Sequence, residues 1–218
     1  MNPTENGVIT RIERLPGRPR YRIFVDDSCR FTVEEDVLIK CGLTKGMTVD
    51  PERLASILET EEWSRARRLA LRYLASKRRT AWELEQMLRR KGVSSAHREA
   101  VLEEFHRFGY LDDHAFARDW VEERRSRKGY GAARIRRELE EKGISPELID
   151  RVLGEVDEED EFRLAMEVAE RRLSRMRDLP WAVLERRLGR QLLNRGFSST
   201  VVLEVLERVR STDREEEG

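Results

Sequence analysis

One phrase occurs three times in this chain. It reads Leu84-x-x-x-Leu88-x-x-Lys91-Gly92-Val93-Ser94, then Ile135-x-x-x-Leu139-x-x-Lys142-Gly143-Ile144-Ser145, then Leu188-x-x-x-Leu192-x-x-Arg195-Gly196-Phe197-Ser198. The three glycines lie 51 and 53 residues apart, and apolar pairs return at a matching offset after each: Val101-Leu102, Val152-Leu153, Val205-Leu206. A period in this range marks stacked supersecondary units, none of which buries its apolar face alone. An array of helical repeats is the first expectation, and such arrays grip large partners rather than small molecules.

Each repeat reads as three helices. In the first, Thr80-Ala81-Trp82-Glu83 is a capping box, in which the hydroxyl takes the N–H of Glu83 and the carboxylate reaches back. Gly92, Gly143 and Gly196 are the residue type that enters the left-handed conformation past a helix end. Ser94, Ser145 and Ser198 follow two residues on, each placed to cap the next helix, and Pro146 sits at the preferred first helical position. Asp112 or Asp113 caps the helix carrying Phe116, Trp120 and Val121, while Gly129-Tyr130-Gly131 opens the one carrying Ile135 and Leu139.

The first fifty residues differ. Val8–Ile12, Tyr21–Val25 and Arg30–Val33 are β-prone runs separated by Leu15-Pro16-Gly17-Arg18-Pro19 and Asp26-Asp27-Ser28, which predicts a two- or three-stranded meander. Such a sheet needs a helix against one face, and residues 34–40 can supply it. Asp50-Pro51 then opens a helix, and apolar spacing runs on through Trp63, Leu69 and Leu74, leaving open whether one helix joins the two stretches. The predicted architecture is mainly α: three tandem three-helix repeats in an elongated curved array, preceded by a small β-rich N-terminal segment. Its boundaries are 1–50 for the β segment and a short helix, 51–109, 110–156 and 157–210 for the repeats, and 211–218 for a polar tail.

Charged residues make up 39% of the chain, against about 25% in an average globular protein, yet 43 Lys and Arg balance 43 Asp and Glu. What matters is where each sign sits. Between Trp63 and Gly92 ten basic residues face two acids, Glu83 and Glu85; between Trp120 and Arg137 seven face Glu122 and Glu123. Such clusters attract phosphates in a salt-sensitive way that does not depend on base sequence; the alternative is a solvated helix face with i, i+4 ion pairs. The contact candidates are Arg68, Arg72, Arg78, Arg79, Trp82, Arg89, Arg90, Lys91, Arg124, Arg125, Lys128, Arg134 and Arg137. Of Trp63, Trp82, Trp120 and Trp181, Trp82, in the first turn of its helix, is the best candidate for stacking on a base; Trp63 and Trp120 have core spacing. Lys91, Lys142 and Arg195 complement the dipoles of their helices.

No stretch of eighteen apolar residues is present, Met1–Gly7 lacks the pattern of a secretory signal, and Cys29 and Cys41 make no disulfide framework. A cytoplasmic protein is expected. His97, His106 and His114 form no metal set, and Asp112-Asp113 reads as a cap rather than an acid–base pair. No catalytic residue, cofactor or metal is expected.

The chain resembles the RecX family, bacterial regulators of the RecA recombinase. The second repeat carries the most specific part, through Gly109-Tyr110-Leu111-Asp112-Asp113, Phe116-Ala117, Val121, Arg124-Arg125, Gly131, Ile135, Glu138-Leu139 and Lys142-Gly143-Ile144. The first fits through Ala70, Leu74, Arg78, Thr80, Glu83-Leu84, Leu88 and Lys91-Gly92; the third departs with Arg195-Gly196-Phe197. The resemblance implies binding in the groove of the RecA–DNA filament, across neighbouring protomers, with lower ATP hydrolysis and strand exchange and with filament assembly opposed. RecA and single- or double-stranded DNA are the implied partners, the DNA held weakly. A stand-alone helical DNA-binding protein is the alternative.

Overall fold

A computed structural model describes residues 6–176 and 179–216, without the side chains of 158 and 213–216. The chain divides into two units, Met1–Arg78 with Leu84–Tyr110, and Arg79–Glu83 with Leu111–Gly218.

In the first unit, β1 (Gly7–Arg14), β2 (Arg20–Val25) and β3 (Ser28–Glu34) form the expected meander. Asp26 and Asp27 join β2 to β3 with φ of 49° and 62°, the left-handed pair that a two-residue hairpin turn requires. A strand the sequence does not announce, β4 (Thr48–Val49), adds to β1 and makes a four-stranded antiparallel sheet of order β3-β2-β1-β4. Two residues are too few for alternation to be read.

Ile9, Ile23, Val25 and Val33 turn to one face and are buried with Val37 of α1 (Glu35–Lys40) and Ile57 of α2. α2 (Pro51–Leu74) is one uninterrupted helix of 24 residues, started by Pro51 and by Asp50, whose carboxylate accepts the Arg53 N–H at 2.7 Å. Its first half covers the sheet; its second half packs on α4 (Ser95–Arg107), with Ala66, Ala70, Val101 and Phe105 all fully buried.

A buried acidic pair ties sheet to helix. Glu61 accepts the Glu34 backbone N–H at 2.8 Å and Arg20 Nη2 at 3.2 Å, while Glu34 accepts Arg68 Nη2 at 2.8 Å. Burial pushes the Glu61 carboxyl up, and the Glu34 N–H and the Arg20 charge oppose that rise.

The second unit holds two further cores. α5 (Asp113–Glu123), α6 (Ala132–Glu141) and α7 (Pro146–Gly154) enclose Phe116, Val121, Ile135, Leu139 and Ile149. A π-helical turn, Arg124–Lys128, follows α5 and ends at Gly129 with φ of 60°. α8 (Glu158–Leu173), α9 (Trp181–Arg195) and α10 (Ser199–Glu216) enclose Ala165, Leu184, Leu188, Leu192 and Val205. The acidic run 155–161 is mostly the first turn of α8, where carboxylates suit the helix dipole. α10 continues to Glu216.

α3 (Ala81–Arg90), α6 and α9 are the middle helices of their repeats, and all three end in the same way. The residue after each glycine, Val93, Ile144 or Phe197, donates its N–H to Leu88, Leu139 or Leu192, at 3.2, 3.1 and 3.3 Å. All six of those apolar side chains are buried. This is the double-bonded glycine stop with its hydrophobic closure; Phe197 fills the aliphatic position.

Candidate nucleic-acid interface

The cations read from the sequence fall into two groups once their partners are seen. In the first unit Arg68 is held by Glu34 and belongs to the buried cluster. Arg72, on the last turn of α2, and Arg89, Arg90 and Lys91, at the end of α3, are exposed, with no carboxylate partner among the described residues. Arg78 is exposed as well. The end of α3 is fixed from beneath: Arg65 Nη2 donates to the Lys91 carbonyl at 2.7 Å, and Glu62 accepts the Ser94 N–H at 2.9 Å. That N–H outweighs burial and holds the Glu62 carboxyl below its ordinary range.

In the second unit most candidates are engaged internally. Arg124 pairs with Glu138 at 2.6 Å and lies 3.8 Å over the Trp120 ring, whose Nε1 donates to the same carboxylate at 3.0 Å. Arg125 pairs with Glu161, which also accepts the Ala132 N–H at 2.9 Å. Arg134 stacks on Tyr130 at 3.9 Å and donates to the Asn194 carbonyl at 3.3 Å. Arg79 is half-buried, 3.9 Å from Glu83. Lys128 and Arg137 remain exposed. Arg124 and Arg125 are thus structural first, because carboxylates distant in sequence fold back onto them.

Trp82 is 46% exposed, so a ring face is accessible, but its other side lies against Gly143. A Cβ at Gly143 would stand 2.6 Å from Trp82 Cδ2. In the same unit Thr80 Oγ1 donates to the Lys142 carbonyl at 2.7 Å, and Lys142 Nζ donates to Glu83 at 2.6 Å. The junction further along matches it. Gly131 and Ala133 donate N–H bonds of 2.8 and 3.0 Å to the carbonyls of Arg195 and Gly196, and the Arg195 guanidinium bonds the Lys128 and Gly129 carbonyls. The C-terminal end of α6 meets the first turn of α3, and that of α9 meets the first turn of α6. At the α9–α6 junction free carbonyls at one helix end thereby satisfy free N–H donors at another, while at the α6–α3 junction the carbonyl takes the capping hydroxyl of Thr80. Lys142 and Arg195, read from sequence as dipole partners, clamp these junctions.

Sequence counting missed one set. Between residues 171 and 195 eight arginines face two acids, Asp178 and Glu185, a density comparable to the first two repeats. Arg172, Arg175, Arg187 and Arg190 of this stretch are exposed.

No group of three or more His, Cys, Asp or Glu among the described residues is placed to hold a metal, and no helix among them is long and apolar enough to cross a membrane. The three-helix domains match three family models in order. RecX, first three-helix domain, covers residues 66–105; the second covers 112–153; the third covers 158–206. A regulatory protein RecX of Halalkalibacterium halodurans is 34% identical across 96% of this chain and 81% of its own length. The chain belongs to the RecX family.

A RecX of Bacillus subtilis is 30% identical over 87% of the chain and 72% of its own length. A solved structure of a regulatory protein RecX superposes with a TM-score of 0.72 at 29% identity, covering 92% of this chain and 99% of that one. RecX from Lactobacillus salivarius shares the fold, with a TM-score of 0.65 at 19% identity over 69% of this chain and 98% of its own. The first match runs from the second half of α2 into α4, the second spans α5 to α7, and the third runs from α8 into α10, so each match holds one of the three glycine-terminated middle helices.

Proposed function

We propose that this chain regulates the RecA recombinase as an inhibitor. It binds in the groove of the RecA–DNA filament and lowers ATP hydrolysis, strand exchange and filament assembly. The observation that carries the reading is the set of three RecX three-helix domains in unbroken order. Exposed cations on each unit, Arg72, Arg89, Arg90 and Lys91 on one and Lys128 and Arg137 on the other, support contact with a polyanion. DNA is held weakly, through phosphates, without base reading. Such a protein works by occupying a surface, so no catalytic group is required, and the cytoplasm, where the recombinase acts, is its place.

RecA's hydrolysis of ATP on single-stranded DNA tests this. The rate is expected to fall progressively as the chain is added and to reach its minimum near one copy per few RecA protomers. An unchanged rate at stoichiometric ratios contradicts the proposal. The unpaired cations also favour a second reading, a stand-alone DNA-binding protein. That reading requires tight duplex binding without recombinase, abolished by replacing Arg89, Arg90 and Lys91 with alanine.

A further inference from the structure

We infer that the third repeat carries a phosphodiester-binding groove of its own, walled by α8 and α9 and centred on Arg172, Arg187 and Arg190. The groove lies wholly within the second unit. Its lining adds Arg134 and Arg195 to those three, and a contiguous depression shares Arg172 and Arg187 and adds Arg175. Among the described residues no carboxylate lines either depression.

Several guanidiniums elsewhere in the molecule meet an acid: Arg67 with Glu104, Arg98 with Glu85, Arg124 with Glu138, Arg125 with Glu161. One other depression lacks a carboxylate lining, but only two arginines, Arg14 and Arg18, line it. In the proposed groove six arginines converge, from α6, α8, the turn after α8 and α9, and Arg172, Arg175, Arg187 and Arg190 have no ion-pair partner among the described residues. Like charges so gathered repel one another until an anion joins them. Guanidinium forks match phosphate oxygens bidentately.

The geometry favours a nucleic-acid strand over an acidic peptide. Arg187 and Arg190 on α9 repeat at i, i+3, so that wall offers charges in a line, one helical turn apart, while Arg172 at the end of α8 and Arg175 in the turn after it supply the facing charges. The remaining lining is Gln191, Asn194, Met176 and Leu179, and Met176 is 7% exposed. Amide donors and a near-flush apolar floor give no socket for the side chains an acidic peptide would need as anchors. A strand that carries one charge per residue needs none.

This inference rests on the reading that the chain touches nucleic acid, and its test separates the two. Fluorescence anisotropy of a labelled oligothymidylate of about thirty nucleotides is followed from about 50 to 200 mM salt, with the full chain and with the Arg172→Gln/Arg187→Gln/Arg190→Gln variant. The variant is expected to bind at least about tenfold more weakly at the low-salt end. The slope of log K against log salt should fall by about 2, which is three lost phosphate contacts on a single strand. All three side chains are exposed, so the circular dichroism spectrum should not change. The matching lysine variant is expected to keep the salt slope while losing part of the affinity. If the wild-type chain ignores the oligonucleotide, the nucleic-acid reading itself fails. Equal binding by wild type and glutamine variant overturns the groove alone, as does a variant that loses polyglutamate binding while keeping the oligonucleotide.

Discussion

Alanine at Gly196 is expected to cost about 3–5 kcal/mol of stability, and alanine at Gly92 only about 1–2 kcal/mol. The two glycines are equivalent in the repeat and similar in backbone, with φ of 90° and 73°. A side chain at either pays the left-handed penalty, about 1–2 kcal/mol. Their surroundings differ. A Cβ at Gly92 meets nothing within 4 Å, whereas one at Gly196 would stand 2.5 Å from the Arg134 Cβ and 2.9 Å from its Cα. Backbone cannot swing aside as a surface side chain can, so the α9–α6 junction must open, and the N–H bonds of Gly131 and Ala133 to the Arg195 and Gly196 carbonyls go with it. Chemical denaturation of the two variants, followed by circular dichroism, measures the difference. Equal losses would mean that the glycines serve only as helix stops.

Removal of the Glu83 carboxylate is the second large effect, about 2–3 kcal/mol for Glu83→Ala. The side chain is 12% exposed and does three things at once. It accepts Lys142 Nζ at 2.6 Å, accepts the Thr80 N–H at 3.4 Å as the return half of the capping box, and lies near Arg79. Without it Lys142, itself 26% exposed, has lost its counter-charge. Burial alone would push the Glu83 carboxyl up, but the Lys142 hydrogen bond and charge, with the Thr80 N–H and Arg79, hold it below its ordinary value. A carboxyl lowered in the fold stabilises above its unfolded pKa, about 4.3, and that contribution is lost as pH falls through the lowered folded value. Glu61 has the opposite sign, since burial raises it, so the pH profile of the whole chain mixes the two. The difference between wild type and Glu83→Gln isolates Glu83. It is expected to be largest near neutral pH and to shrink as Glu83 is protonated. A difference independent of pH contradicts the assignment.

Local rules made the repeats legible. The glycine, the buried residue after it and the capping serine need only neighbours in sequence, and all three middle helices stop as read. What the same letters could not show is that Gly143 and Gly196 are crowded while Gly92 is open, because crowding depends on a helix from another repeat. Charge counting overstates the unpaired charge for a related reason. Arg124 and Glu138 are 14 positions apart, and Arg125 and Glu161 are 36 apart, so a local tally counts as free two cations that the fold neutralises. The arginines of α8 and α9 were equally countable, and the signal lay in the run from Arg171 to Arg195. Strand β4 was beyond reach because a two-residue pairing has no pattern of its own.

The central claim is that this RecX-family chain seats on an assembled recombinase filament rather than acting alone on DNA. Photo-cross-linking from position 90 and from position 187, on RecA assembled on single-stranded DNA, tests it most directly. The account predicts, on one copy of the chain, a cross-link to RecA from position 90 and a cross-link to the filament's DNA from position 187, the RecA cross-link vanishing when the filament is disassembled. Cross-links to DNA alone, formed as well without RecA as with it, would contradict it.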